Sequence, residues 1–518
     1  MNAISPPREP ISLLRYCPGL IVLAIAIADI TRFADPDLWG HVRFGQEILK
    51  SGGVVRYDPY SYSAPHHLWL NHEWLAEAIM ASFYNWLGVF GLESLKLVCV
   101  AVTIVFIAAA EAETGAPVLI QGGVLIASAL MLTLEMQYRP QMFSFALLSV
   151  LLYLLARDNF RRPVRLWLAV PILALWANLH GGFIVGVGAL WIYSTISGAR
   201  DISSGRGTAR ALRLGAISIA ATAATLATPY GSGTWTAVAH ALSNPYTPMF
   251  VRDWYPLLTT IQFNLRQNWL VVLYCAGAIM LVIALSLSFV LAPSRDDLPM
   301  IAIATMMSAA AFIAVRNISI AVIAIAAPLA NHLSLAASRW RGAIRRSPPP
   351  IATARHPLSA ISTVLAIILF WHSGLFASSI LAPDPYPIGA CEFIQGQHLK
   401  GNILAKFSWG EYIIWRLAPE SKIFIDGRYD TVYPPGVVAD YANFIFNLSG
   451  GNAPLTNYPT DFVLVSPYSP ARKLMDSRSD WQLIYSDPAS RLYARANSSA
   501  AHLAGVPVNG AAYETSFP

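Results

Sequence analysis

A polytopic α-helical membrane protein with a small α/β domain at its C-terminal end is the fold class these 518 residues predict. Three observations carry it. Only 12% of the residues are charged, against roughly 25% in soluble domains, and 55% are hydrophobic. Apolar runs suited to cross a hydrocarbon core of about 30 Å, which takes about 20 helical residues, recur along most of the chain. The arginines gather in alternate connections between those runs.

Eleven spans are expected, over 12–33, 88–110, 117–136, 140–156, 166–180, 182–199, 212–228, 268–292, 299–315, 317–334 and 358–381. Basic residues favour the cytoplasmic side of a membrane protein. With the N-terminus (Arg8, Arg15) in the cytoplasm, three further cytoplasmic connections are arginine-rich. These hold Arg157, Arg161, Arg162 and Arg165; then Arg200, Arg206, Arg210 and Arg213; then Arg339, Arg341, Arg345, Arg346 and Arg355. The net charge of +6 is thus explained by topology and does not imply a nucleic-acid partner.

The same parity places three sizeable polar segments outside: the loop 34–87, the loop 229–267 and the tail from 384. Residues 1–383 form the expected transmembrane domain, with two interfacial helices in loop 34–87. Residues 384–496 form the α/β domain, and 497–518 are read as a disordered tail. Within the domain, 402–406, 422–426, 461–465, 481–485 and 491–495 look like strands and 409–417 like a helix. Of the cysteines, Cys17, Cys99 and Cys275 sit in apolar runs and Cys391 in the tail, so no disulfide or zinc framework is read.

Loop 34–87 holds the densest polar chemistry. Asp35 is a helix cap, Pro36 fits a first helical position, and a helix to about Lys50 ends at Gly52-Gly53. Asp37 and His41 then share a face, and Leu38, Val42, Ile48 and Leu49 give an apolar side to lie on the membrane. Asn71 caps a second helix that begins with His72, Glu73 and Trp74. Capping alone would explain Asp35, Asn71 and Glu73. Four ionisable groups beside a bilayer (Asp37, His41, His72, Glu73) exceed that need and point to function. Arg139, His180 and Arg316 lie at span ends on the same side. Both arginines break the arginine bias, and each can either snorkel or clamp a phosphate. Asp426-Gly427-Arg428 is read as a plain turn after a strand.

This layout resembles the C-type glycosyltransferase (GT-C) superfamily, which includes protein O-mannosyltransferase-like and aminoarabinose transferase-like enzymes. The resemblance rests on the spans, the long first outer loop, Asp35-Pro36-Asp37-Leu38-Trp39-Gly40-His41, Asn71-His72-Glu73-Trp74-Leu75 and Phe424-Ile425-Asp426-Gly427-Arg428. The chain departs from the family in lacking its Asp-Glu pair and a Trp-Trp-Asp motif in the tail. The resemblance implies transfer of a sugar from a polyprenyl-phosphate-linked donor to a glycan, lipid or protein acceptor at the outer face of the cytoplasmic membrane. It implies Asp37 as first-choice base, with Glu73 and Asp35 as further catalytic carboxylates. It implies His41, His72, Arg139, His180 and Arg316 as substrate and phosphate ligands. The leaving phosphate needs cations, from arginines or from a divalent metal ion, and no metal ligand is assigned. Two other classes compete with this reading: a transporter or flippase of a lipid-linked or anionic solute, and a non-catalytic scaffold in envelope polysaccharide assembly. A transporter would place its polar groups at midplane on broken helices, whereas here they gather at one face.

Overall fold

The computed structural model describes residues 34–161, 164–244, 246–344, 380–381, 386–504 and 516–517. The expected span 12–33, and 358–381 up to residue 379, lie outside the described residues. Two helices come first, α1 (Leu38–Ser51) and α2 (Trp74–Leu87). A bundle follows: α3 (Val89–Glu113), α4 (Val118–Leu132), α5 (Gln141–Phe160), α6 (Ala169–Leu179), α7 (Phe183–Ser203), α8 (Ala209–Ala224), α9 (Gly233–Ser243), α10 (Leu257–Asn264), α11 (Trp269–Leu291), α12 (Leu298–Ile313) and α13 (Ile318–Ile344).

Each expected span between 88 and 334 contains a helix, but the count of eleven crossings does not follow from the described residues. Among them, five helices are long and apolar enough to cross a membrane: α3, α5, α7, α11 and the stretch Val315–Trp340, which includes most of α13. Val118–Leu132, Leu166–Leu179 and Leu298–Ile313 are shorter apolar helices. Helix α8 has only 16 residues, so its rise of about 24 Å falls short of a hydrocarbon core of about 30 Å.

Helix α5 fixes the length scale of the bundle. At one end Gln141 receives Arg316 Nη2 at 3.4 Å. At the other, Asp158 receives Arg210 Nη2 at 2.5 Å and the Tyr193 hydroxyl at 2.7 Å. Twenty helical residues rise about 30 Å, so the arginine-rich connections and the candidate site residues sit at opposite ends.

The C-terminal domain contains α14 (Ile388–Gly396), α15 (Gly410–Leu417) and α16 (Pro435–Ile445) around a five-stranded sheet. A separate two-residue pair joins β1 (Ile380–Leu381) to β7 (Ser516–Phe517) in antiparallel register. The main strands are β2 (Gly401–Ala405), β3 (Ser421–Ile423), β4 (Phe462–Val465), β5 (Trp481–Ser486) and β6 (Arg491–Arg495), in the order β3-β2-β4-β6-β5. The strand–helix–strand unit makes β2 parallel to β3 and β4, and the final hairpin is antiparallel. The stretch 497–518, read as disordered, includes a 3-10 turn at Ser499–Leu503 as well as β7. Leu503 is buried, which ties that turn to the domain core.

Loop 34–87 and this domain share one hydrophobic core. The reason is visible in both backbones. Ser61 bridges to Ile423 in parallel, Tyr62 N–H donates to Ile423 O at 3.1 Å, and Ile423 N–H donates to Tyr60 O at 3.0 Å. The loop thus adds a strand to the open edge of β3. The apolar side of α1, expected to lie on the membrane, is buried in protein instead. Leu38, Val42 and Ile48 are buried and only Leu49 is open, at 46% exposure. Trp39 packs on Tyr412 and Tyr386 at 5.0 and 5.4 Å between ring centroids. Helix α1 approaches α2 closely because Gly45 has no side chain: a Cβ there would lie 2.0 Å from Glu77 O.

Asp426-Gly427-Arg428, read as a plain turn, is the fastening of this interface. Arg428 is buried, with Nη1 2.8 Å from Asp58 Oδ1 and Nη2 2.5 Å from Asp426 Oδ2. Its guanidinium also lies 5.0, 4.9 and 4.7 Å from the ring centres of Phe44, Tyr60 and Trp69. Desolvation would raise the Asp58 carboxyl, but Arg428 and donors from Tyr60 and Ser61 hold it below its ordinary value. Removing one member of such a buried set strands the others. Arg428→Ala is therefore expected to cost about 3–5 kcal/mol, read as a lower unfolding temperature and faster proteolysis of the purified chain.

Candidate functional site

The site lies where α1, α2, the loop ends of the bundle and the C-terminal domain meet. It is built from the start of α1. Asp35 Oδ1 accepts from Asp37 N–H at 3.0 Å, and Asp37 is the residue before the first helical turn. His41 follows one turn later, with Nδ1 3.3 Å from Glu77 Oε1 on α2. Glu77 Oε2 also accepts from Asn71 Nδ2 at 2.5 Å. Asn71 Oδ1 accepts from Glu73 N–H at 3.2 Å. One asparagine thus holds the Glu73 amide just before α2 and fixes the glutamate that holds His41.

Glu73 is partly exposed and has two imidazoles beside it. His72 Nε2 is 3.8 Å and His180 Nε2 3.6 Å from Glu73 Oε1. Gly182 N–H points at His180 Nδ1 at 3.0 Å. Trp176 Nε1–H donates to Ser144 Oγ at 2.6 Å, leaving the Ser144 hydroxyl to donate to the same Nδ1 at 2.7 Å. Two donors at Nδ1 assign the proton to Nε2, which faces Glu73. Burial would raise the Glu73 carboxyl, but His72, His180, His41 and Arg316 together pull it below its ordinary value. The indole of Trp74 donates to Asn178 Oδ1 at 3.0 Å and ties α2 to the end of α6.

The arginines differ in their surroundings. Arg139 is clamped between carboxylates, ion-paired with Asp35 and 2.9 Å from Asp253 Oδ2. Arg316 lies over the Trp254 ring at 4.7 Å and contacts Gln141. The structure therefore brings Asp35, Asp37, His41, His72, Glu73, Arg139, His180 and Arg316 to one end of the bundle. Within it, Arg139 serves Asp35 and Asp253, while His72, His180 and Arg316 are grouped around Glu73.

The Asp37 carboxyl is strongly altered by its surroundings. Burial first, then the Asp35 charge, push it up to about 7, against the pull of Arg139 and His41. A residue that sequence reasoning missed stands beside it. Glu411, in the first turn of α15, is buried and accepts from Gly40 N–H at 3.1 Å. An acidic residue there is what a helix N-terminus favours anyway, so nothing in its sequence position marks it. Among the described residues no three His, Cys, Asp or Glu side chains are grouped to hold a metal ion, so the described side chains do not fit a metal centre.

No protein-family model and no curated protein sequence matches the chain. Solved structures do. The chain is similar to the arabinofuranosyltransferase AftD from Mycobacteria, with 13% identity and a TM-score of 0.53, over 94% of this chain and 40% of that one. It is also similar to the oligosaccharyltransferase AglB from Archaeoglobus fulgidus, solved with an inhibitory peptide and a dolichol-phosphate. There the identity is 11% and the TM-score 0.52, over 88% of this chain and 70% of that one. The chain has the fold of the membrane-embedded GT-C glycosyltransferases. It spans 40% of the length of the mycobacterial enzyme and 70% of the archaeal one.

His41 provides a test of the site's electrostatics. Burial opposes its charge, but the hydrogen bond to Glu77 and the charges of Glu73, Glu77 and Asp37 overcome this and raise it to about 9. A raised imidazole stabilises the fold fully below its unfolded value of about 6.5. That contribution is lost as pH rises through about 9. The gap in unfolding temperature between wild type and His41→Gln should be widest near pH 6 and close above pH 9.

Proposed function

We propose that the protein transfers a sugar from a polyprenyl-phosphate-linked donor to an acceptor hydroxyl at the outer face of the cytoplasmic membrane. In this reading the N-terminus is cytoplasmic and the C-terminal domain extracytoplasmic. The arginine-rich connections at the far end of α5 support that orientation. The reading is carried by one observation: carboxylates of loop 34–87 converge with Arg139, His180 and Arg316 of three bundle connections at one end of a GT-C fold.

The acceptor oxygen attacks the anomeric carbon and forms the new glycosidic bond. The bond from that carbon to the phosphate oxygen breaks, and the lipid phosphate leaves with the electron pair. The acceptor proton goes to Asp37. A base is most effective when its ionisation lies near the working pH, and Asp37 is pushed up to about 7. Glu73 stays ionised and holds His72, His180 and Arg316 where anionic charge develops on the leaving phosphate. Arg139 is committed to Asp35 and Asp253, so its part is to orient Asp35 and through it Asp37.

Membranes holding the full chain can be given a panel of polyprenyl-phosphate-linked pentoses and hexoses, with release of polyprenyl phosphate as the readout. Asp37→Asn should lower the rate by roughly 100-fold or more with normal expression. Wild-type rate should rise with pH through about 7 and level off, because the base acts only when ionised. An Asp37→Asn enzyme as fast as wild type would sink the assignment.

A further inference from the structure

Glu411 sits in a slot built from two glycines. A Cβ on Gly40 would lie 2.0 Å from Glu411 Oε2, and one on Gly427 would lie 2.7 Å from Glu411 Oε1. The same Gly427 position is 2.4 Å from Asp37 Oδ1. The two carboxyl groups therefore flank one glycine, with oxygens within about 5 Å by these distances, inside the ~4–6 Å range where like charges resist joint ionisation. Neither glycine can carry a side chain without displacing the pair.

The charges around them are unequal. Asp37 faces Asp35 and Glu73 but also Arg139 and His41. Glu411 is pushed well above the carboxylate range by burial and then by Asp37, Asp426 and Glu77, with Arg428 as the opposing cation. Arg428 is itself occupied by Asp426 and Asp58. A second negative charge on Glu411 has no partner among these groups.

We propose that Glu411 is a positioning residue of the transfer site: delivered by the C-terminal domain and held by Gly40 N–H, its carboxyl group shares a single proton with Asp37 and orients that side chain toward the acceptor. It rests on the reading of Asp37 as the proton acceptor. In this proposal the proton sits on Glu411 while Asp37 is ionised, so the working base has a proton donor supplied by another domain. The C-terminal domain then completes the site instead of merely covering it.

Infrared difference spectra of the full-length chain in lipid nanodiscs test the pairing without any substrate. At neutral pH, wild type minus Glu411→Gln should contain one protonated-carboxyl band. In Asp37→Asn that band should titrate lower by about one pH unit or more, the coupling expected of groups that ionise jointly. Absence of the band, or a midpoint that Asp37→Asn does not move, overturns the pairing. In the donor-panel assay, Glu411→Ala should lower kcat about tenfold or more at unchanged donor KM. Glu411→Gln, which can still accept from Gly40 N–H and donate toward Asp37, should retain most of the rate. A Glu411→Ala enzyme as fast as wild type, or a Glu411→Gln enzyme as slow as Glu411→Ala, defeats the positioning role. If Asp37→Asn is inactive yet leaves the band in place, the pairing is wrong and the base assignment survives. If Asp37→Asn transfers normally and still moves the band, the base assignment fails and the pairing stands.

Discussion

One guanidinium fastens the region that holds the candidate site. Arg428 comes from the C-terminal domain, yet it is enclosed by Asp58, Phe44, Tyr60 and Trp69 of the first loop. A buried cation is costly unless its charge and donors are met, and here both are. Asp426 accepts from Nε and Nη2, Asp58 from Nη1, and three aromatic faces surround the plane. The neighbouring backbone follows the same plan, because residues 60–62 pair with Ile423 at the end of β3. The position of α1 on the domain depends on this arrangement, and with it the positions of Gly40, Asp37 and His41.

Charge in the site is layered. Asp35, His41, Glu77 and Glu411 are buried, whereas Asp37, His72, Glu73, His180 and Arg316 are partly open. The buried layer holds the open one by short, specific bonds: Asp35 to the Asp37 amide, and Asn71 to both Glu73 and Glu77. Arg139 connects the layer to the loop 229–267 through Asp253. Preorganised charge of this kind needs little rearrangement when a new negative charge develops nearby.

Much of this was legible in the sequence. Hydropathy located the helices because a membrane core demands a fixed length of apolar chain. Turn chemistry located α1 and α2 to within two residues: the caps expected at Asp35 and Asn71 fall at Asp37 and Glu73, and Gly52, with φ 69°, ends α1. The crowd of ionisable groups in loop 34–87 pointed to the site. Three things were not legible. The amphipathic face of α1 suits a membrane surface and a protein core equally, and only tertiary packing decides between them. Asp426-Gly427-Arg428 has the composition of any turn, and Asp58, which makes it a fastening, is 370 residues away. Glu411 looks like ordinary helix-end electrostatics until Gly40 and Asp37 are beside it.

That separation of 370 residues also sets a timetable. The first loop leaves the ribosome long before the arginine that closes it. At about 5–20 residues per second the wait is roughly 20–70 s. During that interval Asp58 has its local donors from Tyr60 and Ser61, but it lacks the arginine, and the backbone of Tyr60 and Tyr62 lacks Ile423. A nascent chain of this kind needs either a chaperone or a loop that stays soluble while it waits. The polar run Tyr57-Asp58-Pro59-Tyr60-Ser61-Tyr62-Ser63 suits the second course, because Pro59 withholds a backbone donor from any stray strand and Asp58 keeps the segment charged.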